Sequence, residues 1–159
     1  MPFELTEENI NLVGKRDRLK EERVVCDLDF EYRTDYGVLA EFAPDLKAML
    51  FCKAPAAQGE LVADADHMPG LHFPQIKQIK WEGGDVIGGE LTFHIGVSGK
   101  GNVVFPLANV TRFRFEPQIG GFVVVRFRAT VKPTEAQAGK LSRFLEDGEV
   151  QVSLTAPGK

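Results

Sequence analysis

At 159 residues, 43% hydrophobic and 26% charged, the chain has the length and composition of one ordinary globular domain, which excludes wholesale disorder and needs no disulfide or metal staple. Its net charge of −4 is divided unevenly, with 10 Lys/Arg against 15 Asp/Glu in residues 1–80 (−5) and 9 against 8 in residues 81–159 (+1). No apolar run approaches the roughly 18 residues of a membrane span, and MPFELTEENI lacks the basic start and apolar centre of a signal peptide, so a cytoplasmic protein with no membrane partner is expected.

The polar stretch over residues 6–22, which includes KRDRLKEER, predicts a surface arm or edge strand. Residues 1–22 are thus set apart from a single β-rich domain over 23–159. Residues 23–33 alternate cleanly. Val24, Cys26, Leu28, Phe30 and Tyr32 share one face, and Val25, Asp27, Asp29, Glu31 and Arg33 the other, as in a half-buried strand. A TDYG turn, a short strand over 38–42 and a helix opened by Pro44 and Asp45 follow, with Leu46, Met49 and Leu50 as the helix's buried stripe. Cys26 points inward and Cys52 ends that helix. Both are expected as buried free thiols, with a disulfide between them left open.

Residues 54–74, rich in Ala, Pro, Gly and Asp, predict a long loop excursion of the kind that is often functional. Strands are expected at 77–81 and 89–96 around a GGDVIGG break, then at 102–107 after an SGKG turn. A hairpin follows at 109–132. Residues 133–147 form the strongest helix, stopped by Gly148, and residues 149–155 alternate as a closing strand. Eight or so short strands, two short helices and no βαβ rhythm predict a mainly β (α+β) fold, an antiparallel β-sandwich or open barrel.

The hairpin NVTRFRFEPQIGGFVVVRFRATVK carries the most specific pattern. With PQIGG as its turn, Phe115 faces Val123, Phe113 faces Val125 and Arg112 falls opposite Arg126, with Arg114 and Arg128 on the same face. One face is apolar and the other basic. Lys100, Lys132, Lys140 and Arg143 extend the field, so that residues 100–143 hold eight basic side chains against two acidic ones. Like charges directly opposite each other cost stability, and the arginines therefore ask for an anion. Either a phosphate backbone supplies it, or Asp27, Asp29 and Glu31 lie on a neighbouring strand and form an internal ladder.

Other constellations carry less. Asp27, Asp29 and Glu31 at alternate positions have a spacing a hard cation can use, yet a solvated acidic face is the plainer reading. Asp64, Asp66, His67 and His72 match no zinc spacing, and His94 lies within an apolar strand. None of the paired glycines is followed by the Lys-Ser/Thr and helix of a phosphate-binding loop. No nucleophile and base are grouped in sequence, so a protein that is not an enzyme, with no cofactor and no metal site, is expected.

The blocks FAPDLKAMLF, ADADHMPGLHFPQIKQIKW and VTRFRFEPQIGGFVVVRFRATVKPTEAQAGKL resemble a family of small phage- and prophage-encoded proteins with no established activity, over most of the chain from about Val24 onward. The resemblance implies a protein acting in the bacterial host cytoplasm, near phage replication or recombination functions. Residues and resemblance together lead to a binding protein that grips single-stranded DNA or assists recombination through Arg112, Arg114, Arg126 and Arg128. The alternatives are a protein-protein module that inhibits a host defence factor or binds a phage protein, and a structural or assembly protein. Homo-oligomerisation is compatible with each.

Overall fold

The computed structural model describes residues 2–53, 68–95 and 101–157. Its strands are β1 (Leu5–Lys20), β2 (Arg23–Asp35), β3 (Phe51–Cys52), β4 (Gly70–Leu71), β5 (Ile79–Trp81), β6 (Val86–His94), β7 (Val103–Gln118), β8 (Phe122–Val131) and β9 (Glu149–Thr155). The helices are α1 (Leu46–Leu50) and α2 (Glu135–Asp147), and a 3-10 turn spans Tyr36–Glu41. Six strands pair antiparallel in the order β7-β6-β9-β1-β2-β8, and β8 returns to β7, so the barrel is closed rather than open or split into two sheets. Closure leaves no unpaired edge around the ring. β5 continues the β6 side of β7, and β3 pairs with β4 apart from the barrel.

Period-2 alternation puts one row of each strand inside. Phe30, Phe93, Phe113, Phe115 and Phe127 are fully buried there, joined by Phe3 from the N-terminal segment. Phe30 and Phe127 stack with centroids 5.2 Å apart, and Phe3 meets Phe113 edge-on at 5.1 Å. The interior is packed with rings, as expected of a small barrel whose side chains fill its bore. α2 begins with a capping box between Thr134 and Gln137 and ends at Gly148, whose φ of 82° suits glycine. Its Leu141 is buried, and Phe144 stacks on Phe93 at 4.7 Å.

Several sequence expectations change. The arm or edge segment over residues 6–22 is mostly β1, paired with β9 on one side and β2 on the other. Its apolar residues Leu5, Ile10 and Leu12 break strict alternation because the register slips between Leu5 and Glu8 and again between Leu12 and Gly14. Residues 38–42 fall in or beside the 3-10 turn rather than a strand, since Asp35 caps it by accepting from the Gly37 N–H. Cys52 lies in β3 and is half-buried, Cys26 is fully buried inside the barrel, and both are free. Val24 is exposed at the β1–β2 tip and Val25 is buried, the reverse of the expected faces at that end of the strand. The strands expected at 102–107 and from 109 are one continuous β7.

The hairpin register differs too. Gln118 pairs with Phe122, so the turn is only Ile119, Gly120 and Gly121, with the glycines at φ 101° and 87°. The strands therefore zip two residues further than a PQIGG turn allows. Phe115 lies opposite Val125, and Arg114, not Arg112, lies opposite Arg126.

Candidate functional site

The division of the hairpin into an apolar and a basic face is present: Phe113, Phe115, Val123, Val125, Phe127 and Ala129 point into the barrel. β2 is the direct neighbour of β8, and Asp29 pairs with Arg128 and Glu31 with Arg126. Arg128 Nε donates to Asp29 Oδ1 at 2.8 Å, and Arg126 Nε donates to Glu31 Oε2 at 2.8 Å. Arg126 also reaches Glu116 Oε1 at 3.0 Å, and this pairing holds the Glu116 carboxyl below its usual range. Gly14, opposite Asp29, leaves room for it, since a Cβ there would come within 3.1 Å of Asp29 Oδ2.

Asp27, the one buried charged residue among those described, completes the ladder. It accepts from Arg18 Nε at 2.7 Å and from Thr130 Oγ1 at 2.7 Å. Burial alone pushes its pKa up, but the bonds from Arg18 and Thr130 outweigh it and leave the group below its usual range. Asp27, Asp29 and Glu31 are thus anchors for arginines, and no group of three metal-ligating side chains occurs among the described residues.

Arg114 and Arg112 have no such partner among the described residues. Across the sheet, Lys80, Arg114 and Arg126 stand opposite one another on β5, β7 and β8, three cations in a row. Among the described residues Arg126 alone of the three has a carboxylate, and Arg114 Nε is buried without a hydrogen-bond partner. Arg112 is exposed with φ at +60°, a left-handed conformation costly for a side-chain-bearing residue. It occupies a bulge: between Thr111 and Arg114 the β7–β8 register slips by one residue. On the opposite edge, the pairing of Trp81 with Phe113 and of Val86 with Val110 skips Thr111 and Arg112.

That gap opens a groove of about 580 Å³ lined by Lys80, Trp81, Arg112 and Arg114, with Glu82 and Asp85 also on its wall. A second groove of about 600 Å³ shares Thr111, Arg112 and Arg128 with it and adds Arg16, Arg18 and Lys20. A third, of about 200 Å³, continues past Asn109 to Lys132. The three form one track along the outer face of β7 from Arg114 to Leu107, about 23 Å at ~3.3 Å per residue. Arg16, Lys20, Lys80, Arg112, Arg114 and Lys132 have no ion pair among the described residues.

The predicted arginines are thereby sorted. Arg112 and Arg114 lie in the groove with free charge, Arg126 and Arg128 are neutralised by the ladder, and Lys132 stands at the far end of the track. Lys140 and Arg143 are exposed on α2 and line none of these grooves. Lys100, Asp64, Asp66 and His67 lie outside the described residues. His72 packs against Phe73 with ring centroids 4.5 Å apart. The sequence reading missed Arg16, Lys20 and Lys80. Arg16 and Lys20 were hidden in the segment taken for an arm, and Lys80 acquires meaning only through its pairing with Arg114.

Among the described residues one serine-histidine contact exists, His94 Nε2 to Ser153 Oγ at 2.7 Å. The Asn102 Oδ1 atom accepts from the Ile95 N–H, which turns Asn102 Nδ2 toward His94 Nδ1 at 3.3 Å. Nδ1 is then the acceptor and Nε2 carries the proton, donating it to Ser153. A base nitrogen free to take the serine proton is missing from this arrangement, which clasps β6 to β9. Compared with known proteins, the chain matches no family model, no curated protein and no solved structure.

Proposed function

We propose that this is a non-enzymatic protein that binds the backbone of single-stranded nucleic acid along the β7 groove, as a single-strand-binding or recombination accessory factor. The observation that carries the reading is the row Lys80–Arg114–Arg126, in which, among the described residues, two of three neighbouring cations lack a carboxylate and Arg114 keeps an unpartnered buried Nε. Like charges placed opposite across strands are unfavourable, and a phosphate between them reverses the sign of the interaction. Arg112 and Arg114 on β7 are flanked by Lys80 on β5, Arg16 and Lys20 on β1 and Lys132 after β8, and a narrow track of this kind suits one backbone. The resemblance to phage-encoded proteins agrees with such a role.

The experiment is fluorescence anisotropy of labelled single-stranded and duplex DNA at two salt concentrations. Micromolar or tighter single-strand binding that weakens steeply with salt is expected, because each neutralised phosphate releases counterion. No binding at low salt refutes the reading. One observation favours a second reading, an acidic protein partner: Leu19, Val24, Ile87 and Leu107 are exposed near the Lys132 end of the track, and Ile87 and Leu107 lie between Lys20 and Lys132. Capture of a protein with no salt-sensitive DNA affinity would support it.

A further inference from the structure

The middle groove of the track, about 600 Å³, runs across the strands as well as along them. Its floor is the row Arg16, Asp27, Thr130 and Asn109, which pairing sets side by side on β1, β2, β8 and β7. Asp27 is the one acidic residue on this wall among the described residues, and Ile87 the one aliphatic side chain. The Asp27 carboxylate is only 3% exposed and is already taken by Arg18 and Thr130. Arg16, although directly opposite Asp27, therefore keeps a free charge among the described residues. The rest of the wall consists of donors. Asn109 Oδ1 accepts from the Gly88 N–H at 2.9 Å, which leaves its Nδ2 hydrogens for the groove. Arg18 binds Asp27 through Nε and Nη2, and Arg128 binds Asp29 through Nε, so the Nη1 group of each has no partner among the described residues. β1 and β7 are three strand spacings apart, about 14 Å, so Arg16 and Lys20 on one flank and Arg112 on the other enclose the groove.

A phosphodiester within a strand brings a single negative charge and has few free oxygens to accept from so many donors. A phosphomonoester brings a charge of about −1.5 to −2 at neutral pH and three strong acceptor oxygens. Resting on the single-strand reading above, we infer that the middle groove is an end site, which takes the terminal phosphomonoester of the strand while the following phosphates lie along Arg112 and Arg114. A terminal dianion and the first diester together match the charge of Arg16, Lys20 and Arg112, the unpaired cations of this groove among the described residues. The anchored guanidiniums of Arg18 and Arg128 add donors whose orientation is set before the ligand arrives, which lowers the cost of ordering them on binding. A wall with Ile87 as its one aliphatic side chain gives a base little to pack against, so the groove suits phosphate oxygens and leaves the bases outside.

The full chain is titrated by fluorescence anisotropy with one internally labelled single-stranded DNA that carries a 5′-phosphate, a 3′-phosphate or hydroxyls at both ends. A phosphorylated form is expected to bind about tenfold more tightly than the hydroxyl form. Arg16→Gln together with Lys20→Gln, both exposed positions, should bring the forms to equal affinity with an unchanged circular dichroism spectrum. Lys80→Gln removes a charge from the other end of the track and should weaken all forms alike, so that the preference survives. Equal affinity of the three forms for the unaltered protein, or a preference that persists in the Arg16 and Lys20 double variant, overturns the end site and leaves the groove reading standing. Deoxyadenosine 5′-monophosphate is titrated in parallel by calorimetry. If it binds at low salt and no strand does, the groove takes a free phosphomonoester and the strand reading falls. If nothing binds, both fall.

Discussion

The barrel separates two kinds of arginine that look alike in sequence, and the separation can be measured. Six cations along the β7 track, Arg16, Lys20, Lys80, Arg112, Arg114 and Lys132, lack ion pairs among the described residues. At about 0.7 counterions per phosphate contact on a single strand, full engagement gives a slope of log K on log salt of about −4. Replacing Arg112 and Arg114 with Gln leaves four contacts and lowers the slope to about −3, with affinity reduced. Replacing Arg126 with Gln should act differently. It leaves Glu31 and Glu116, both within 3.0 Å of its guanidinium, without their shared cation. The pairs are partly exposed and screened, so the cost is about 1–2 kcal/mol. For a domain of this size that lowers Tm by roughly 3–6 °C. The salt slope should stay near −4. Anisotropy titrations at four salt concentrations and thermal melts of the three proteins provide the assay. If Arg126→Gln flattens the slope by about 0.7, as the loss of one phosphate contact does, the ladder does not neutralise Arg126 and the sorting of the arginines is wrong.

Arg112 is held at φ +60°, so Arg112→Gly should raise stability by about 1 kcal/mol while weakening nucleic-acid binding, a pairing of opposite signs that melts and titrations reveal together. The β1–β2 turn places Glu21 and Glu22 at φ 52° and 65°, the backbone of a two-residue type I′ turn, so Glu21→Asn with Glu22→Gly should add about 1–2 kcal/mol in urea unfolding. Asp27 and Glu116 have depressed pKa values in the fold, so their contribution is complete above the ordinary carboxylate range and is lost as pH falls through the folded values. Unfolding by acid should therefore begin below about pH 4, and Asp27→Asn should lower stability at pH 7 and flatten that acid limb. Glu41 has the opposite sign: burial raises its pKa and outweighs a hydrogen bond from the Glu4 backbone that lowers it, so Glu41→Gln should stabilise the protein at neutral pH and lose this advantage as pH falls through the raised value.

Much of the barrel was legible from alternation alone. The rows Cys26, Leu28, Phe30, Tyr32 and Val123, Val125, Phe127 are the inner rows of β2 and β8, because both strands run without a bulge and pair residue for residue. Helix α2 was legible because its signals are local: Pro133 before it, Glu135 in its first turn, Leu141, Phe144 and Leu145 at helical spacing and Gly148 at its end, and the capping box of Thr134 with Gln137 is a further local signal. β1 was not legible, because its two register slips and its charged second half mask the period of two. The hairpin register was missed for a related reason: two glycines at positive φ allow a three-residue turn where composition allowed five. The acidic anchors were recognised as one of two possible partners, but only the order β2-β8 decides that they meet the arginines, and strand order is not local information.

The bulge at Arg112 ties these points together. In β7 the buried residues fall at 103, 105, 108, 110, 113, 115 and 117, so the period of two is broken twice, each time by a step of three. A barrel needs such breaks to bend its strands, and β-bulges supply them by adding a residue that faces outward. The second break places Arg112 in that outward position, opens the skip between β5 and β6, and so creates the groove with Trp81 and Arg114 on its wall. An uncharged residue, best of all glycine, would bend the strand at lower cost in backbone strain. An arginine there adds local strain and a charge without a counter-ion among the described residues, two costs on the fold that a bound phosphate would offset in part. The step of three in the spacing Val110 to Phe113 was visible in the sequence, and the residue that occupies it is the one on which the binding reading most depends.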